Sequence, residues 1–262
     1  MADFHVDLPD RRIRARWISR DGSSSRPTLV FLHEGLGCVE MWRDFPARLC
    51  THTGSRGLVY DRTGYGQSSP WPAAPGLRYM EIEADDVLPR LLAAVGITDC
   101  ILVGHSDGGT IALNYAATGP APLHGVVTLA AHAINEPVCV ASIVKAKAAF
   151  ETGDLRARLA RYHGSNVDGA FRLWSDAWLA PGFEPMDAAG RLPGIEIPVQ
   201  AIQGEDDEYG SELQLGIIAG KVAGYCETRL IPDCGHSPHL QQPERVITEI
   251  ARFIGPLGSE GM

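Results

Sequence analysis

Short apolar runs alternate along this chain with segments of helical periodicity. Thr28–Leu32 is continuously apolar rather than alternating, which is typical of a strand buried on both faces. Similar runs follow at 57–60, 100–103 and 125–130, and the sheet pattern resumes at 198–204. The segment 79–95 instead repeats apolar residues at helical spacing, and Pro89 within it predicts a kink. Buried strands separated by helices predict βαβ units, and therefore an α/β protein with a mostly parallel sheet.

Two parts of the chain depart from this alternation. Near the beginning, Phe4–Leu8 alternates apolar and polar residues and Ile13–Ile18 does so in part, which predicts half-exposed antiparallel strands. Between residues 133 and 193 no buried-strand pattern occurs, and three segments look helical. We therefore predict a helical cap at 133–193, inserted into a core formed by residues 1–132 and 194–262.

Composition and charge exclude several classes of protein. With 45% hydrophobic and 21% charged residues, the 262-residue chain is ordinary globular material, long enough for one large core. Its net charge of −9 argues against nucleic acid or an anionic membrane surface as a partner. The six cysteines form no CxxC pair, and neither a signal peptide nor a long apolar stretch is visible. We therefore expect a cytoplasmic protein with reduced thiols; the oligomeric state stays open.

The apolar run at 100–103 leads directly into Gly-His-Ser-Asp-Gly at 104–108, and a helical segment follows. A serine in a sharp turn between a strand and a helix is the setting of a nucleophile elbow. Gly104 and Gly108 are the neighbours without side chains that such a strained turn requires. Ser106 is therefore the candidate nucleophile. Because a serine hydroxyl is a weak nucleophile, it needs a base that is oriented by an acid.

Candidates for the acid follow buried strands. The acidic run at 205–208 comes directly after the strand predicted at 198–204. In parallel sheets, functional residues gather at this carboxyl edge. Glu136, after the strand that ends near residue 130, is a second candidate.

The candidate base is His236, which follows a strand predicted at 228–231. His33, His105 and His239 compete with it. His105 lies inside the elbow, so its side chain is expected to point away from the serine hydroxyl, and His33 is expected to be structural. A metal pair of His236 and His239 is disfavoured because a proline separates them and no HExxH or Cys/His cluster supports it. We expect no metal.

These motifs together resemble the α/β-hydrolase fold family, in its esterase-like branch with a helical cap. The matching segments are His-Glu-Gly-Leu-Gly at 33–37, Asp-Arg-Thr-Gly-Tyr-Gly-Gln-Ser at 61–68, the elbow at 104–108, Gly-Glu-Asp-Asp at 204–207 and Gly-His at 235–236. The resemblance covers nearly the whole chain and implies a mostly parallel eight-stranded sheet flanked by helices. It also implies a catalytic triad of Ser106, Asp207 and His236. Asp207 is preferred over Asp206 because the family's acid sits three residues after the glycine.

The resemblance further implies an oxyanion hole made by backbone N–H groups. One belongs to Asp107, and the other belongs to Gly35, with Leu36 as the alternative. Glu34 departs from the His-Gly start that is common at this loop, so its role stays open. An aromatic stripe at helical spacing in the cap suggests an apolar substrate group. The predicted pocket residues are Leu36, Phe171, Trp174 and Trp178.

The sequence therefore predicts a serine hydrolase that cleaves a small carboxylic ester or related acyl compound through an acyl-enzyme, without a cofactor. A lactonase, a C–C bond hydrolase and a cofactor-free perhydrolase would use the same triad and stay open. The alternative from another class is a ligand-binding receptor on this fold with vestigial hydrolase activity. Turnover separates the two, because an enzyme would cycle whereas a receptor would release an acyl group very slowly.

Overall fold

The computed structural model describes residues 2–19, 26–119, 123–186 and 190–257. It contains one eight-stranded sheet. The strands are β1 (Asp3–Leu8), β2 (Arg11–Ile18), β3 (Thr28–Leu32), β4 (Gly57–Tyr60), β5 (Cys100–His105), β6 (Leu123–Leu129), β7 (Val199–Gly204) and β8 (Cys226–Ile231). Their order across the sheet is β1-β2-β4-β3-β5-β6-β7-β8.

The antiparallel pairs lie at one edge of the sheet. β1 pairs with β2 and β2 with β4 in antiparallel register, whereas every pair from β4 through β3 to β8 is parallel. The alternating pattern near the beginning of the chain therefore became the antiparallel edge, and the continuous apolar runs became the parallel interior. The predicted mostly parallel α/β sheet is confirmed.

Helices cover both faces of the sheet. The α-helices are α1 (Phe45–Thr53), α2 (Tyr79–Ile82), α3 (Leu88–Ala94), α4 (Asp107–Ala116), α5 (Pro137–Thr152), α6 (Leu155–His163), α7 (Val167–Trp178), α8 (Leu213–Lys221), α9 (Pro238–Gln241) and α10 (Pro243–Ile254). Side chains of β3 alternate between two cores, since Leu29 and Phe31 pack with α1 and α10 while Val30 and Leu32 pack with α2 to α4. This two-sided burial explains why no polar residue alternates with the apolar ones from Leu29 to Leu32.

The kink expected at Pro89 takes the form of a widened turn. A π-helical stretch, Glu83–Val87, joins α2 to α3, and Pro89 lies in the first turn of α3. Because proline has no N–H to donate, a break in the hydrogen-bond ladder just before it is accommodated there. The turn buries the Glu83 carboxylate, which accepts a hydrogen bond from the Thr63 N–H at 3.1 Å.

Three helices, α5 to α7, lie between β6 and β7 with a short 3₁₀ turn at Leu192–Gly194. They match the helical pattern of the segment 133–193, but the division into a core and a cap remains a prediction. Among the described residues, no helix is both long enough and apolar enough to span a membrane.

Candidate active site

The strand-turn-helix at Ser106 has the geometry of an elbow. Ser106 lies between β5 and α4, as the N-cap of that helix, with φ 51° and ψ −119°, a conformation that non-glycine residues rarely adopt. A Cβ on Gly104 would lie 2.3 Å from the Gly108 carbonyl oxygen, and one on Gly108 would lie 2.0 Å from the Leu32 carbonyl oxygen. Both glycines are therefore required by close backbone approach, as the motif predicts.

The structure brings Ser106, His236 and Asp207 together. His236 Nε2 lies 3.0 Å from Ser106 Oγ, and His236 Nδ1 lies 2.9 Å from both carboxylate oxygens of Asp207. Since a carboxylate only accepts, His236 Nδ1 carries the proton, and Nε2 is left to accept from the serine hydroxyl. Ser106 and the Asp207 side chain are buried, whereas the His236 side chain is 13% exposed.

The surroundings of Asp207 keep it ionised. Its carboxylate also accepts hydrogen bonds from the Tyr209 N–H at 2.8 Å and from the Gln203 side-chain amide. Burial alone would raise the pKa of Asp207, but the hydrogen bond and charge of His236 and the backbone donor outweigh it and lower the pKa. Asp206, by contrast, is exposed, and only its backbone N–H is held, by the Cys234 carbonyl at 2.8 Å.

Glu136, the second candidate for the acid, has other partners. Its carboxylate accepts hydrogen bonds from the Ser211 N–H at 2.9 Å, the Ser211 hydroxyl at 2.6 Å and the Gln214 side-chain amide at 2.6 Å. Glu136 thus anchors the segment that leads into α8, and the structure places Asp207 rather than Glu136 against His236.

The other candidate histidines are bound elsewhere. His33 accepts from the Arg62 N–H at 2.9 Å through Nε2 and donates to the Glu34 carbonyl at 2.8 Å through Nδ1. Burial lowers its pKa, so the ring is neutral and structural, as expected. His239 is buried between aromatic rings, 4.8 Å from Trp42 and 4.6 Å from His105 between ring centroids.

Glu34 forms an ion pair beneath the site. Its carboxylate lies 3.3 Å from His105 Nδ1, while His105 Nε2 lies 2.8 Å from the His236 carbonyl oxygen. Both ring nitrogens of His105 therefore face acceptors, which is the environment of an imidazolium. Burial alone would lower the pKa of His105, but the hydrogen bond and charge of Glu34 outweigh it and raise the pKa. The predicted orientation of His105, away from Ser106 Oγ, agrees with these contacts.

Of the two predicted oxyanion-hole residues, Asp107 directly follows Ser106 and Gly35 lines the cavity beside it. Asp107 is the first residue of α4, so its N–H has no acceptor within the helix. Gly35 lines the cavity at Ser106, and a Cβ on Gly35 would lie 2.3 Å from Trp174 Cδ1, so the indole of α7 packs directly on this backbone. The Leu36 carbonyl accepts a hydrogen bond from His163 Nε2 at 2.9 Å, which fixes the neighbouring peptide.

The cavity beside Ser106 and His236 has a volume of about 100 Å³. Of the predicted pocket residues, Leu36, Trp174 and Trp178 line it. Phe171 does not; it lies behind Trp174 and stacks on Phe150 with ring centroids 3.8 Å apart.

Four further residues that line this cavity were not predicted from the sequence. They are His132, Cys139, Ile143 and Tyr209. His132 follows β6 at the carboxyl edge of the sheet, so its position after a buried strand was a usable signal. Burial lowers the pKa of His132 to about 4, and its ring lies 5.7 Å from that of His236. The other three carry no local motif.

A second cavity, with a volume of about 530 Å³, is larger than the one at Ser106 and lies on another face of α7. It is bounded by the loop that contains Trp71 and Leu77 and by α7 residues such as Leu173 and Ala177. None of the described residues around it also lines the cavity at Ser106. The reactive groups belong to the smaller cavity.

Within the described parts of the chain, one cluster brings together groups that could bind a metal ion. Cys38, Glu40 and Asp61 place their ligand atoms within 4.8 Å of one another. Arg14 already pairs with both carboxylates, at 2.8 Å from Glu40 and 3.1 Å from Asp61. Burial also raises the pKa of the Cys38 thiol, which opposes the thiolate that a metal requires. We assign this cluster to an ion-pair network.

The eight-stranded sheet and the strand-turn-helix at Ser106 are features of a known protein family, which a family comparison identifies. Residues 29–249 match the family described as the alpha/beta hydrolase family. The chain belongs to this family, and it is a hydrolase enzyme.

Among individual relatives, the chain is similar to a 2-succinyl-6-hydroxy-2,4-cyclohexadiene-1-carboxylate synthase of Serratia proteamaculans, with 26% identity over 90% of this chain and 96% of that protein. It is 34% identical to the sn-1-specific diacylglycerol lipase ABHD11 of Mus musculus, over 38% of this chain but only 31% of the lipase. Among solved structures, a carboxylesterase of Bacillus subtilis superposes with a TM-score of 0.72 at 21% identity, covering all of this chain and 92% of that one. This last likeness concerns the fold alone.

Proposed function

We propose that this protein is a serine hydrolase that cleaves small, uncharged carboxylic esters through an acyl-enzyme. The observation that supports the proposal most directly is the hydrogen-bonded chain from Ser106 Oγ through His236 to Asp207, at 3.0 Å and 2.9 Å. A serine activated by a histidine that an acid orients is the arrangement that acyl transfer needs.

In the proposed mechanism, His236 Nε2 accepts the proton of Ser106 as the serine oxygen attacks the ester carbonyl. Asp207 holds the imidazole in the required tautomer and stabilises the imidazolium that forms. The N–H groups of Gly35 and Asp107 bind the oxygen that becomes negative in the tetrahedral intermediate. The imidazolium then gives its proton to the leaving alcohol, and water hydrolyses the acyl-enzyme through the same base.

The cavity favours a small and uncharged acyl group. Its volume is about 100 Å³, and no lysine or arginine occurs among the described residues that line it. The carboxylate in the wall is that of Glu34, whose pKa is lowered because its pairing with His105 outweighs burial, so it is ionised near neutral pH. An anionic substrate would find no lysine or arginine among the described residues of the wall, and the carboxylate that it would meet there is already paired with His105. This argues against a carboxylate product like the one in the name of the Serratia relative.

The helices between β6 and β7 act in this proposal as a cap over the site. Trp174 and Trp178 of α7 form part of the cavity wall, so the cap contributes an apolar roof. The cap would therefore select the acyl group by size and apolarity, while the sheet edge supplies the chemistry.

The proposal is tested by substituting the nucleophile and the base. Ser106→Ala and His236→Ala should each abolish hydrolysis of short p-nitrophenyl esters while circular dichroism shows an intact fold. The exposed residues Ser165 and His5 provide matched controls, since Ser165→Ala and His5→Ala should retain full activity. Full activity of Ser106→Ala would refute the mechanism.

A substrate panel separates the other reactions that the triad supports. Short esters, lactones, amides and aryl diketones are compared by kcat/KM, with peroxide added in a parallel series to detect perhydrolysis. The proposal expects neutral short-chain esters to be the best substrates. Rapid acylation of Ser106 followed by negligible turnover would instead indicate a receptor.

A further inference from the structure

Arg62 is a fully buried cation that the proposed mechanism does not use. It follows β4, and its side chain is completely shielded from solvent. The guanidinium lies over the Tyr65 ring, with 4.5 Å between its carbon and the ring centroid. Burying an arginine is costly unless its charge and its N–H groups find partners. Nε and Nη1 of Arg62 have no hydrogen-bond partner among the described residues, whereas Nη2 faces two polar groups, and their position indicates what the residue holds in place.

The first partner is the peptide group that joins Glu34 to Gly35. Arg62 Nη2 donates a hydrogen bond to the Glu34 carbonyl oxygen at 2.8 Å, and His33 Nδ1 donates to the same oxygen at 2.8 Å. The Arg62 backbone N–H in turn donates to His33 Nε2 at 2.9 Å. Arg62 thus holds the Glu34 carbonyl both directly and through the imidazole of His33, and the Gly37 N–H adds a turn bond to the same oxygen at 3.1 Å.

These bonds determine the direction of the Gly35 N–H. In a planar trans peptide the C=O and N–H groups point in opposite directions, so fixing the Glu34 oxygen also fixes the Gly35 N–H. A charge-assisted bond at the oxygen also polarises the peptide, which makes its N–H a stronger donor. The Gly35 N–H is one of the two proposed oxyanion donors.

The second partner of Arg62 is the carboxylate of Asp107. Arg62 Nη2 lies 3.6 Å from Asp107 Oδ2, and both groups are fully buried. The same carboxylate accepts hydrogen bonds from the Tyr79 hydroxyl at 2.6 Å and from Trp178 Nε1 at 3.2 Å. The side chain of Asp107 is thereby held from three sides, and its backbone N–H is the other proposed oxyanion donor.

We propose that Arg62 is the positioning residue of the oxyanion hole, a single buried cation that orients both donor residues from behind. The proposal rests on the proposed function, in which the N–H groups of Gly35 and Asp107 bind the oxyanion. Arg62 does not line the cavity at Ser106, so it acts through the backbone and not by touching substrate. Its loss should weaken binding of the transition state and leave binding of the ground state unchanged.

Arg14 offers a matched control. It is another buried arginine, and it pairs with Asp61, directly before Arg62 in the same turn, at 3.1 Å. The contacts of Arg14 run to Asp3, Glu40 and Asp61, and none reaches the loop at 33–37. A general effect of disturbing a buried ion pair should therefore appear in both arginines, whereas an effect on the oxyanion hole should appear in Arg62 alone.

The experiment compares Arg62→Lys with Arg14→Lys. Lysine keeps the positive charge, but its shorter, compact ammonium does not reproduce the geometry of the guanidinium. Removal of one oxyanion donor costs about 10²–10³-fold in kcat, so displaced donors in Arg62→Lys should lower kcat by about 10-fold to 100-fold. KM for a short p-nitrophenyl ester should stay within about two-fold. Arg14→Lys should lower the melting temperature but retain kcat.

Inhibition constants distinguish a role in the oxyanion hole from a merely structural role, which would not change them. A trifluoromethyl ketone adds to Ser106 and places an oxyanion in the hole, whereas the matching methyl ketone binds without forming a stable adduct. The inhibition constant of the fluorinated ketone should rise in Arg62→Lys by the same factor by which kcat falls, and that of the methyl ketone should not change. Unchanged kcat and inhibition in Arg62→Lys, or equal losses in Arg14→Lys, would overturn the proposal.

Glu83 is a buried acid whose charge acts on Arg62. If Arg62→Lys fails to fold, Arg62→Gln combined with Glu83→Gln removes one buried group of each sign, and Glu83→Gln alone is its reference. The double variant should show the same fall in kcat relative to Glu83→Gln, and equal kcat values would refute the positioning role. Failure of the proposed function is recognised separately. In that case Ser106→Ala of the otherwise unchanged protein would retain activity, whatever Arg62→Lys shows.

Discussion

The contact between Gly35 and Trp174 predicts that a single methyl group would disable the site. Gly35 does not have a positive φ, so alanine is compatible with its backbone conformation. Its Cβ would nevertheless lie 2.3 Å from Trp174 Cδ1 and 2.4 Å from Nε1. In Gly35→Ala, therefore, either the indole or the backbone that carries the proposed donor must move.

The size of the effect follows from this distance. Carbon atoms pack at about 3.5–4.0 Å, so the 2.3 Å contact requires a movement of more than about 1 Å. Overpacking of this kind destabilises proteins by about 1–3 kcal/mol. A displacement of about 1 Å at a reacting centre costs about 100-fold in rate. We therefore expect Gly35→Ala to lower kcat by about two orders of magnitude while most of the protein stays folded.

A double-mutant cycle identifies the cause. Trp174→Ala removes the indole, so Gly35→Ala should have a much smaller effect on kcat and on the urea midpoint when it is introduced into Trp174→Ala. Gly169 of α7 serves as the control, because a Cβ there meets nothing within 4 Å and Gly169→Ala should leave kcat unchanged. If the effects of Gly35→Ala and Trp174→Ala on kcat were simply additive in free energy, the steric argument would be wrong.

Three further predictions concern the acid, the cap and the ion pair below the site. Asp207→Asn should lower kcat by about 10³–10⁴-fold, while substitution of the exposed Asp206 by Asn should change kcat little. The reverse order in steady-state kinetics would show that Asp206 is the acid of the triad. Trp178→Phe removes an N–H donor that two buried oxygens share, so denaturant unfolding should show a loss of about 1–2 kcal/mol; an unchanged midpoint would show that these bonds do not hold α7. The pKa of His105 is raised in the folded protein, so its contribution to stability is present below its unfolded pKa of about 6.5 and is lost as the pH rises through the folded value. The pKa of Glu34 is lowered, so its contribution is present above about pH 4.3 and is lost at lower pH. The pair should therefore stabilise most between about pH 4.3 and 6.5, and His105→Gln should lose less stability than the wild type between pH 6 and pH 9.

The strands and the elbow could be predicted from short stretches of sequence, because each pattern has a local physical cause. The continuous run at Thr28–Leu32 is apolar because both faces of β3 are covered, and alternation in Phe4–Leu8 reflects an edge strand. The elbow was visible because close approach at Gly104 and Gly108 tolerates no side chain.

What the sequence could not reveal is how distant side chains meet. Glu34 and His105 are 71 residues apart, and neither neighbourhood indicates that they form an ion pair. Phe171 and Trp174 share a stripe, but which of them reaches the cavity depends on how α7 is rotated above the sheet, and periodicity alone does not determine that rotation. Three further lining residues carry no motif: Tyr209 lies in the loop after β7, and Cys139 and Ile143 lie on α5.

The loop at 33–37 contains no helix or strand. A turn bond from the Gly37 N–H to the Glu34 carbonyl at 3.1 Å supports it from within, and its neighbours add further contacts. His163 at the end of α6 donates to the Leu36 carbonyl at 2.9 Å and accepts from the Gly66 N–H at 2.9 Å, while Trp174 of α7 packs on Gly35. A conformation in which α6 and α7 lift to admit a larger ester would break these contacts but leave the bonds of Arg62 and His33 to the Glu34 carbonyl in place. The loop would then lose support on the cap side alone, so a larger ester would meet donors that are still oriented but less rigidly held until the helices return.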